Sequence, residues 1–136
     1  MNTGTATVSG KSETVLVSAK DGKTLYYFTP DDASGKATCS GSCASLWPPI
    51  IGTPSAGSGV TGMLTAVMGA NGNQATYNGH PLYQYTVDTA PGQANGEGVM
   101  GKWHAATPSL AATGTTSPAP SNGGSTGGSG GGSGSY

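Results

Sequence analysis

The sequence predicts an all-β fold: a single small domain of about six to eight short, mostly antiparallel strands, with one short helical turn near its two cysteines. Three observations lead to this prediction. Short β-branched and aromatic runs are separated by turn dipeptides that contain glycine. No segment of useful length has the apolar periodicity of a helix. The turn-and-strand segment 21–37 recurs at 78–94, so two related hairpin units are expected.

The first predicted unit is a hairpin around Asp21-Gly22. The runs TVLVSA (14–19) and KTLYYFT (23–29) flank this dipeptide, and an Asp-Gly pair favours a tight hairpin turn because both turn positions need positive φ. The residues before the first of these runs are polar. We therefore expect a flexible N-terminus over residues 1–12.

The second predicted unit is a three-stranded meander. GMLTAVMG (62–69), QATY (74–77) and HPLYQYT (80–86) are joined by turns that carry Asn-Gly. KWHAA (102–106) is a last short strand. The helical turn is expected from Ser40 to Leu46, since Pro48 and Pro49 cannot continue a helix.

The repeat also predicts which strand face is buried. Side chains alternate between the two faces of a strand. Aromatic residues recur on one face in both copies, which assigns that face to the core, whereas Gln84 stands where the first copy has Tyr27, so the other face is expected to be partly buried. The preserved aromatic positions are Tyr26 and Phe28 in the first copy, Tyr83 and Tyr85 in the second.

An aspartate follows each of these strands, five residues after the tyrosine that recurs in both copies. Asp31 and Asp88 are expected to accept backbone N–H groups of the next loop, and also to take a Tyr hydroxyl. In this interpretation Tyr26 and Tyr83 with their aspartates lock the hairpins. The alternative is a cation site formed by these acids with Asp32 and Glu97, although their loops lack the DxDxDG spacing of calcium loops.

Trp47 and Trp103 follow the two copies at nearly the same spacing. Each is expected to be a structural anchor, and Trp47 is followed by the stiff pair Pro48-Pro49. A surface patch of Trp and Tyr that stacks sugars is the alternative.

Cys39 and Cys43 form the motif CSGSC. In an oxidising compartment they are expected to close as a disulfide, and no cofactor is then expected. The alternative is a copper-binding or electron-transfer accessory protein. In that case both thiolates bind copper together with His80, His104 or Met100, since soft sulfur ligands favour Cu(I).

Charge is nearly absent. The chain has five Lys+Arg, all of them Lys, six Asp+Glu and a formal net charge of −1. Without clustered basic residues the sequence-independent attraction to phosphates is missing, so no nucleic-acid partner is expected. No apolar run reaches the ~18 residues of a membrane span. Serines occur outside a GxSxG elbow and acids are few, so the sequence predicts no enzyme, with a hydrolase as the least favoured alternative.

Composition divides the chain. A β-domain is expected over 13–108, and residues 109–136 form a Ser/Thr/Pro-rich and then Gly/Ser-rich linker or tail. The part from about residue 117 has too little apolar surface to offset the entropy of ordering, so it is expected to be a flexible tether.

The motifs G-x-T-L-Y, C-x3-C-A-x2-W-P-P and Y-N-G-x-P-L-Y, with a late Trp, resemble a bacterial secreted or lipoprotein-type repeat family of unknown function marked by a Tyr-x4-Asp motif. The resemblance covers about residues 13–108. It implies an extracellular or cell-surface protein and brings no catalytic residues. No N-terminal Cys for lipid attachment is present, so lipidation there is not expected. We expect a noncatalytic monomeric binding module for an unknown envelope or extracellular partner.

Overall fold

A computed structural model describes residues 1–33, 36–52 and 54–111. In these ranges seven strands form two antiparallel sheets, which confirms the all-β prediction. The helical segments are one α-helical turn, α1 (Ser42–Leu46), and 3-10 turns at Thr29–Ala33 and Val99–Gly101. The strands are β1 (Asn2–Val8), β2 (Lys11–Val17), β3 (Tyr26–Phe28), β4 (Leu64–Gly69), β5 (Gly72–Tyr77), β6 (His80–Tyr83) and β7 (Trp103–Ala105).

The larger sheet has the strand order β4-β5-β6-β3-β7, and β1 pairs with β2 in a two-stranded sheet. The meander β4–β5–β6 is as predicted. Its second turn lies between Tyr77 and His80, which are paired across β5 and β6. The two turn residues, Asn78 and Gly79, have positive φ angles of 49° and 87°. Two successive residues with positive φ match the twist of the flanking strands.

The first hairpin of the structure precedes the one that the sequence predicts. β2 turns back onto β1 at Ser9 and Gly10, whose φ angles are 51° and 83°. The chain also turns back at Asp21-Gly22, as predicted, although only the glycine has positive φ. The contact is short: Val17 bridges Thr24, and the N–H groups of Ser18 and Leu25 donate to Lys23 O and Leu16 O at 3.0 Å. β2 and β3 are not paired further, because Ala106, which follows β7, accepts the N–H of Leu16 and donates its own N–H to Leu25 O.

The N-terminus corrects the expectation of a flexible segment over 1–12. Residues 2–8 form β1, with Ala6 and Val8 buried against Val15 and Val17 of β2. Small apolar residues at alternate positions suffice to bury one face of a Thr-rich strand. At the other end, Leu110 packs against the core, so the folded unit continues to residue 111. The expected tether from about residue 117 lies outside the described residues.

The two faces of the large sheet are buried to different extents. One face carries Tyr26 and Tyr83, both fully buried, as the repeat predicts. The opposite face carries Leu25 and Leu82, which are also fully buried. Tyr27 and Gln84 on the same face are only half-buried, so this face is partly buried, as the sequence predicts. No helix among the described residues is long and apolar enough to cross a membrane.

The two repeats are related by an approximate two-fold axis between Tyr26 and Tyr83, which oppose each other in the antiparallel pair of β3 and β6. Backbone hydrogen bonds repeat across this axis. The N–H of Ala106 donates to Leu25 O at 2.8 Å, and the N–H of Ile50 donates to Leu82 O at 3.0 Å. The C-terminal segment of each repeat thus pairs with the central strand of the other repeat.

Candidate functional site

The tyrosines and aspartates that recur in both repeats form two crossed pairs at the centre of the domain. The Tyr26 hydroxyl donates to Asp88 Oδ2 at 2.6 Å, and the Tyr83 hydroxyl donates to Asp31 Oδ2 at 2.7 Å. Each tyrosine therefore bonds to the aspartate of the other repeat. This corrects the interpretation in which a tyrosine and an aspartate lock a single hairpin: the pairs join the two hairpin units.

The second oxygen of each carboxylate holds the loop that follows it. The N–H of Thr38 donates to Asp31 Oδ1 at 2.8 Å, and the N–H of Asn95 donates to Asp88 Oδ1 at 3.0 Å. Both donors lie seven residues after their aspartate. A buried carboxylate that accepts on both oxygens is satisfied by the fold itself. These two acids are therefore occupied by structural contacts.

The loops also contact the tyrosine hydroxyls. The N–H of Gly96 donates to the Tyr26 hydroxyl at 3.2 Å, and the backbone of Cys39 hydrogen-bonds the Tyr83 hydroxyl in the equivalent way. Burial, followed by the hydrogen bond to the partner aspartate, raises the pKa of Tyr26 and of Tyr83 far above the usual value of a phenol. Both hydroxyls therefore stay protonated and act as donors.

The tryptophans stack on each other between the repeats. The ring centroids of Trp47 and Trp103 are 3.7 Å apart with an interplanar angle of 2°. Phe28 stacks on Trp103 at 4.2 Å and Tyr85 stacks on Trp47 at 4.0 Å, so four rings form one column. Both indoles are buried, at 2% and 0% exposure. They are unable to form the sugar-stacking surface considered from the sequence.

The cysteines are joined. Cys39 and Cys43 form a disulfide with an S–S distance of 2.01 Å, as the sequence predicts. It lies at the start of α1 and closes the loop whose backbone contacts Tyr83. Cys39 is buried in the same apolar cluster as Trp47.

The other residues of the copper alternative lie in different surroundings. His104 Nδ1 is 2.7 Å from Glu97 Oε2, and His80 Nε2 is 2.6 Å from the carbonyl oxygen of Ala111. Met100 is 71% exposed. Across residues 1–33, 36–52 and 54–111, no three His, Cys, Asp or Glu side chains are grouped so as to hold a metal. The structure does not bring these histidines to the cysteine pair.

Glu97, which the sequence offers as a cation ligand, makes contacts within the fold through both of its carboxylate oxygens. Its Oε1 accepts the N–H of Ala105 at 2.8 Å while Oε2 contacts His104. It therefore holds β7 in place beside the 3-10 turn. Asp32, the remaining acid of that alternative, has no described side chain.

An open cleft is the feature that sequence reasoning missed. It has a volume of about 580 Å³ and lies between the turn at 18–21 and the segment that links the two repeats. Leu25, Pro49 and Ile50 give it apolar lining, and Asp21 with Gln84 gives it polar groups. The replacement of Tyr27 by Gln84 in the second copy was the signal in the sequence, because it removes a ring from one of two equivalent places.

Comparison with known proteins supplies a family. The sequence model of a family described as a secreted repeat of unknown function matches residues 6–51 and again residues 65–107. No curated protein and no solved structure matches the chain. Each match spans one of the two structural repeats, including its segment of Tyr26 or Tyr83, and together they cover more than half of the sequence. The chain therefore belongs to this family of secreted repeats, which places the protein outside the cell or at the cell surface.

Proposed function

We propose that this protein is a noncatalytic binding module of the cell surface or extracellular space, and that the cleft of about 580 Å³ beside Gln84 is its ligand site. The observation that carries the proposal is a contrast within one molecule. The buried polar groups that resemble catalytic residues lie inside the core, where contacts that build the fold occupy them, whereas Asp21 and Gln84, although hydrogen-bonded to each other, border an open cleft.

The occupied groups are the two crossed Tyr–Asp pairs and Glu97. Asp31 and Asp88 are 0% and 2% exposed and accept hydrogen bonds on both oxygens. A general acid or base must reach the proton that it transfers. Carboxylates buried and bonded in this way support a structural role and argue against acid–base chemistry at this position.

The cleft has the size and lining of a ligand site. Small-molecule sites in proteins are concave, of about 300–1,000 Å³, and combine apolar lining with a few placed polar groups. Pro49 and Ile50 supply the apolar part, and Asp21 and Gln84, joined by hydrogen bonds of 3.0 and 3.1 Å, supply the polar part. Ile51 beside them is 57% exposed. Contact with a ligand would remove that apolar surface from water.

We further propose that the module acts as a monomer. The two repeats already supply each other with a partner strand, a tyrosine donor and a tryptophan for stacking. A domain that satisfies these contacts internally has no structural need for a second copy.

Thermal unfolding in the presence of neutral sugars, amino-acid amides and short peptides tests the function. A ligand that binds only the folded state raises the free energy of unfolding by mass action, by about 2.7 kcal/mol at a concentration of one hundred times Kd, and therefore raises the unfolding temperature. Mass spectrometry of the same samples shows whether the ligand is unchanged. Recovery of an intact stabilising ligand supports a binding module, whereas turnover would show an enzyme.

A further inference from the structure

The two-fold axis relates the cleft to a second place that is filled. Gln84 follows Tyr83 on β6 as Tyr27 follows Tyr26 on β3, so the two side chains occupy equivalent positions on the same face of the sheet. Leu25 and Leu82 are equivalent in the same way. The molecule therefore contains one site twice, once open and once occupied by its own side chains.

Aromatic rings and a leucine occupy the filled place. The ring of Tyr27 lies 5.0 Å from that of His80 and 5.6 Å from that of His104. Tyr77 is fully buried, and its hydroxyl donates to Pro108 O at 2.6 Å. Leu110 packs onto the same apolar cluster. The phenol rings of Tyr27 and Tyr77 thus fill the place that is equivalent to the cleft, and the Tyr77 hydroxyl is hydrogen-bonded to the backbone there.

The open place lacks these rings. Gln84 extends its amide to Asp21, and Ser18 follows β2 at the point where Tyr77 ends β5. Pro54 in the segment linking the repeats takes the place that Leu110 takes after β7. Smaller or more flexible side chains at these three positions leave the volume that the rings fill in the other half.

We propose that the cleft binds its ligand through a hydroxyphenyl group. The ring lies on Ile50 and Ile51, which line the cleft. Its hydroxyl donates to the Asp21 carboxylate, which also accepts the Gln84 amide and the N–H of Lys23. A buried tyrosine hydroxyl bonded to an aspartate occurs twice in the core, at 2.6 and 2.7 Å, so the protein already uses this pairing. The inference rests on the proposed function and names the ligand chemistry of that site.

The test uses N-acetyl-tyrosinamide as the probe and the backbone amide NMR signals of the whole chain as the readout. We expect saturable shifts at Leu25, Ile50 and Gln84. N-acetyl-phenylalaninamide should bind about tenfold more weakly, because it lacks the hydroxyl and a net hydrogen bond is worth about 0.5–1.5 kcal/mol. A short uncharged peptide with one internal tyrosine tests whether the hydroxyphenyl group belongs to a peptide. Tighter binding than N-acetyl-tyrosinamide identifies a peptide as the ligand, and weaker binding identifies a small molecule.

Two variants locate the binding. Gln84→Tyr places in the cleft the ring that Tyr27 supplies in the other half, and should weaken binding of the probe by more than about tenfold, or about 1.4 kcal/mol. Val87→Tyr adds the same ring at a position that is 49% exposed and outside the cleft, and should leave binding unchanged. Thermal unfolding checks that both variants are folded.

The outcomes separate this inference from the proposed function. Equal binding of the tyrosine and phenylalanine amides, shifts outside the cleft, or unchanged binding by Gln84→Tyr would overturn the hydroxyphenyl assignment. A sugar or aliphatic peptide that binds at the same residues, while the probe does not, overturns it too but leaves the binding module in place. Failure of all ligand classes to bind contradicts both.

Discussion

Tyr26 donates its hydroxyl hydrogen bond to Asp88, a residue 62 positions later in the chain, at a distance of 2.6 Å. Tyr83 returns the same bond to Asp31 at 2.7 Å. The consequence is a pair of repeats that are intertwined rather than adjacent: each contributes the carboxylate that satisfies the hydroxyl of the other. Stability of one repeat therefore depends on the presence of its partner.

A double-mutant cycle tests the crossed pairing. Tyr26→Phe and Asp88→Asn each disturb a buried hydrogen bond, and each should lower the free energy of unfolding by about 1–3 kcal/mol. Since the two groups contact each other, the double mutant should lose less than the sum, with a coupling of about 0.5–3 kcal/mol. Urea unfolding measures all four proteins.

The matched control combines Tyr26→Phe with Asp31→Asn. These residues belong to the same repeat but to different hydrogen-bonded pairs. Their effects should be closer to additive than those of the first cycle. A larger coupling in the control cycle would contradict the crossed arrangement.

The buried tyrosines predict a loss of stability in alkali. Burial raises the pKa of Tyr26 and Tyr83 in the folded state, whereas in the unfolded chain they titrate near the ordinary value of 10.0. Both states hold the phenol proton below that pH, so the contribution is fully present there. Above it the unfolded state loses protons first, and stability falls by about 1.4 kcal/mol per pH unit for each tyrosine.

Urea midpoints measured from neutral pH to above pH 10, together with tyrosinate absorbance, check this prediction. Tyr26→Phe should reduce the alkaline slope by about 1.4 kcal/mol per pH unit. Tyrosinate absorbance from all tyrosines appearing well before unfolding would contradict it.

Gly96 is required by packing. A Cβ atom at this position would lie 2.8 Å from the Trp47 ring and 2.9 Å from the Tyr26 ring. Gly96→Ala should therefore destabilise the domain by about 1–3 kcal/mol, as overpacked cores do. Gly69→Ala is the control, because a Cβ there meets no atom within 4 Å. Thermal unfolding should separate the two variants, and equal midpoints would refute the packing argument.

Separated repeats should not fold alone. In a fragment of residues 1–61, β3 lacks both of its partner strands β6 and β7. The complementary fragment, residues 62–136, lacks the acceptor Asp31 and the stacking partner Trp47. We expect circular dichroism to show little stable β-structure in either fragment and recovery of it in an equimolar mixture. A stable folded monomer of one fragment would contradict the intertwined arrangement.

The disulfide should contribute little stability, because the ring that it closes is small. Cys39→Ala combined with Cys43→Ala should cost an amount near the low end of the range of about 0–5 kcal/mol. Thiol titration of the untreated protein should find no reactive cysteine. Two free thiols that bind Cu(I) tightly in the purified protein would instead favour the copper alternative.

The sequence by itself determined the fold class and the duplication. Local patterns carry this information: turn dipeptides such as Asn78-Gly79 act within a few residues, and recurrence of Leu-Tyr with a later Asp identifies the repeat without any knowledge of contacts. The disulfide, the helical turn and the buried aromatic face were predictable for the same reason. The Thr-rich strand β1 was not, since its apolar residues are too small to give a clear alternation.

Only the tertiary structure decided how the repeats combine. A sequence repeat is equally compatible with two hairpins side by side and with two that exchange partners, because a tyrosine satisfies its hydroxyl with either aspartate. The repeats exchange partners because β3 and β6 pair antiparallel, which sets Tyr26 opposite Tyr83. The same pairing set Gln84 and Tyr27 at equivalent places. The amide in place of a ring is one of three substitutions, with Ser18 and Pro54, that leave the cleft open, and they act together only because the tertiary structure brings them to one place.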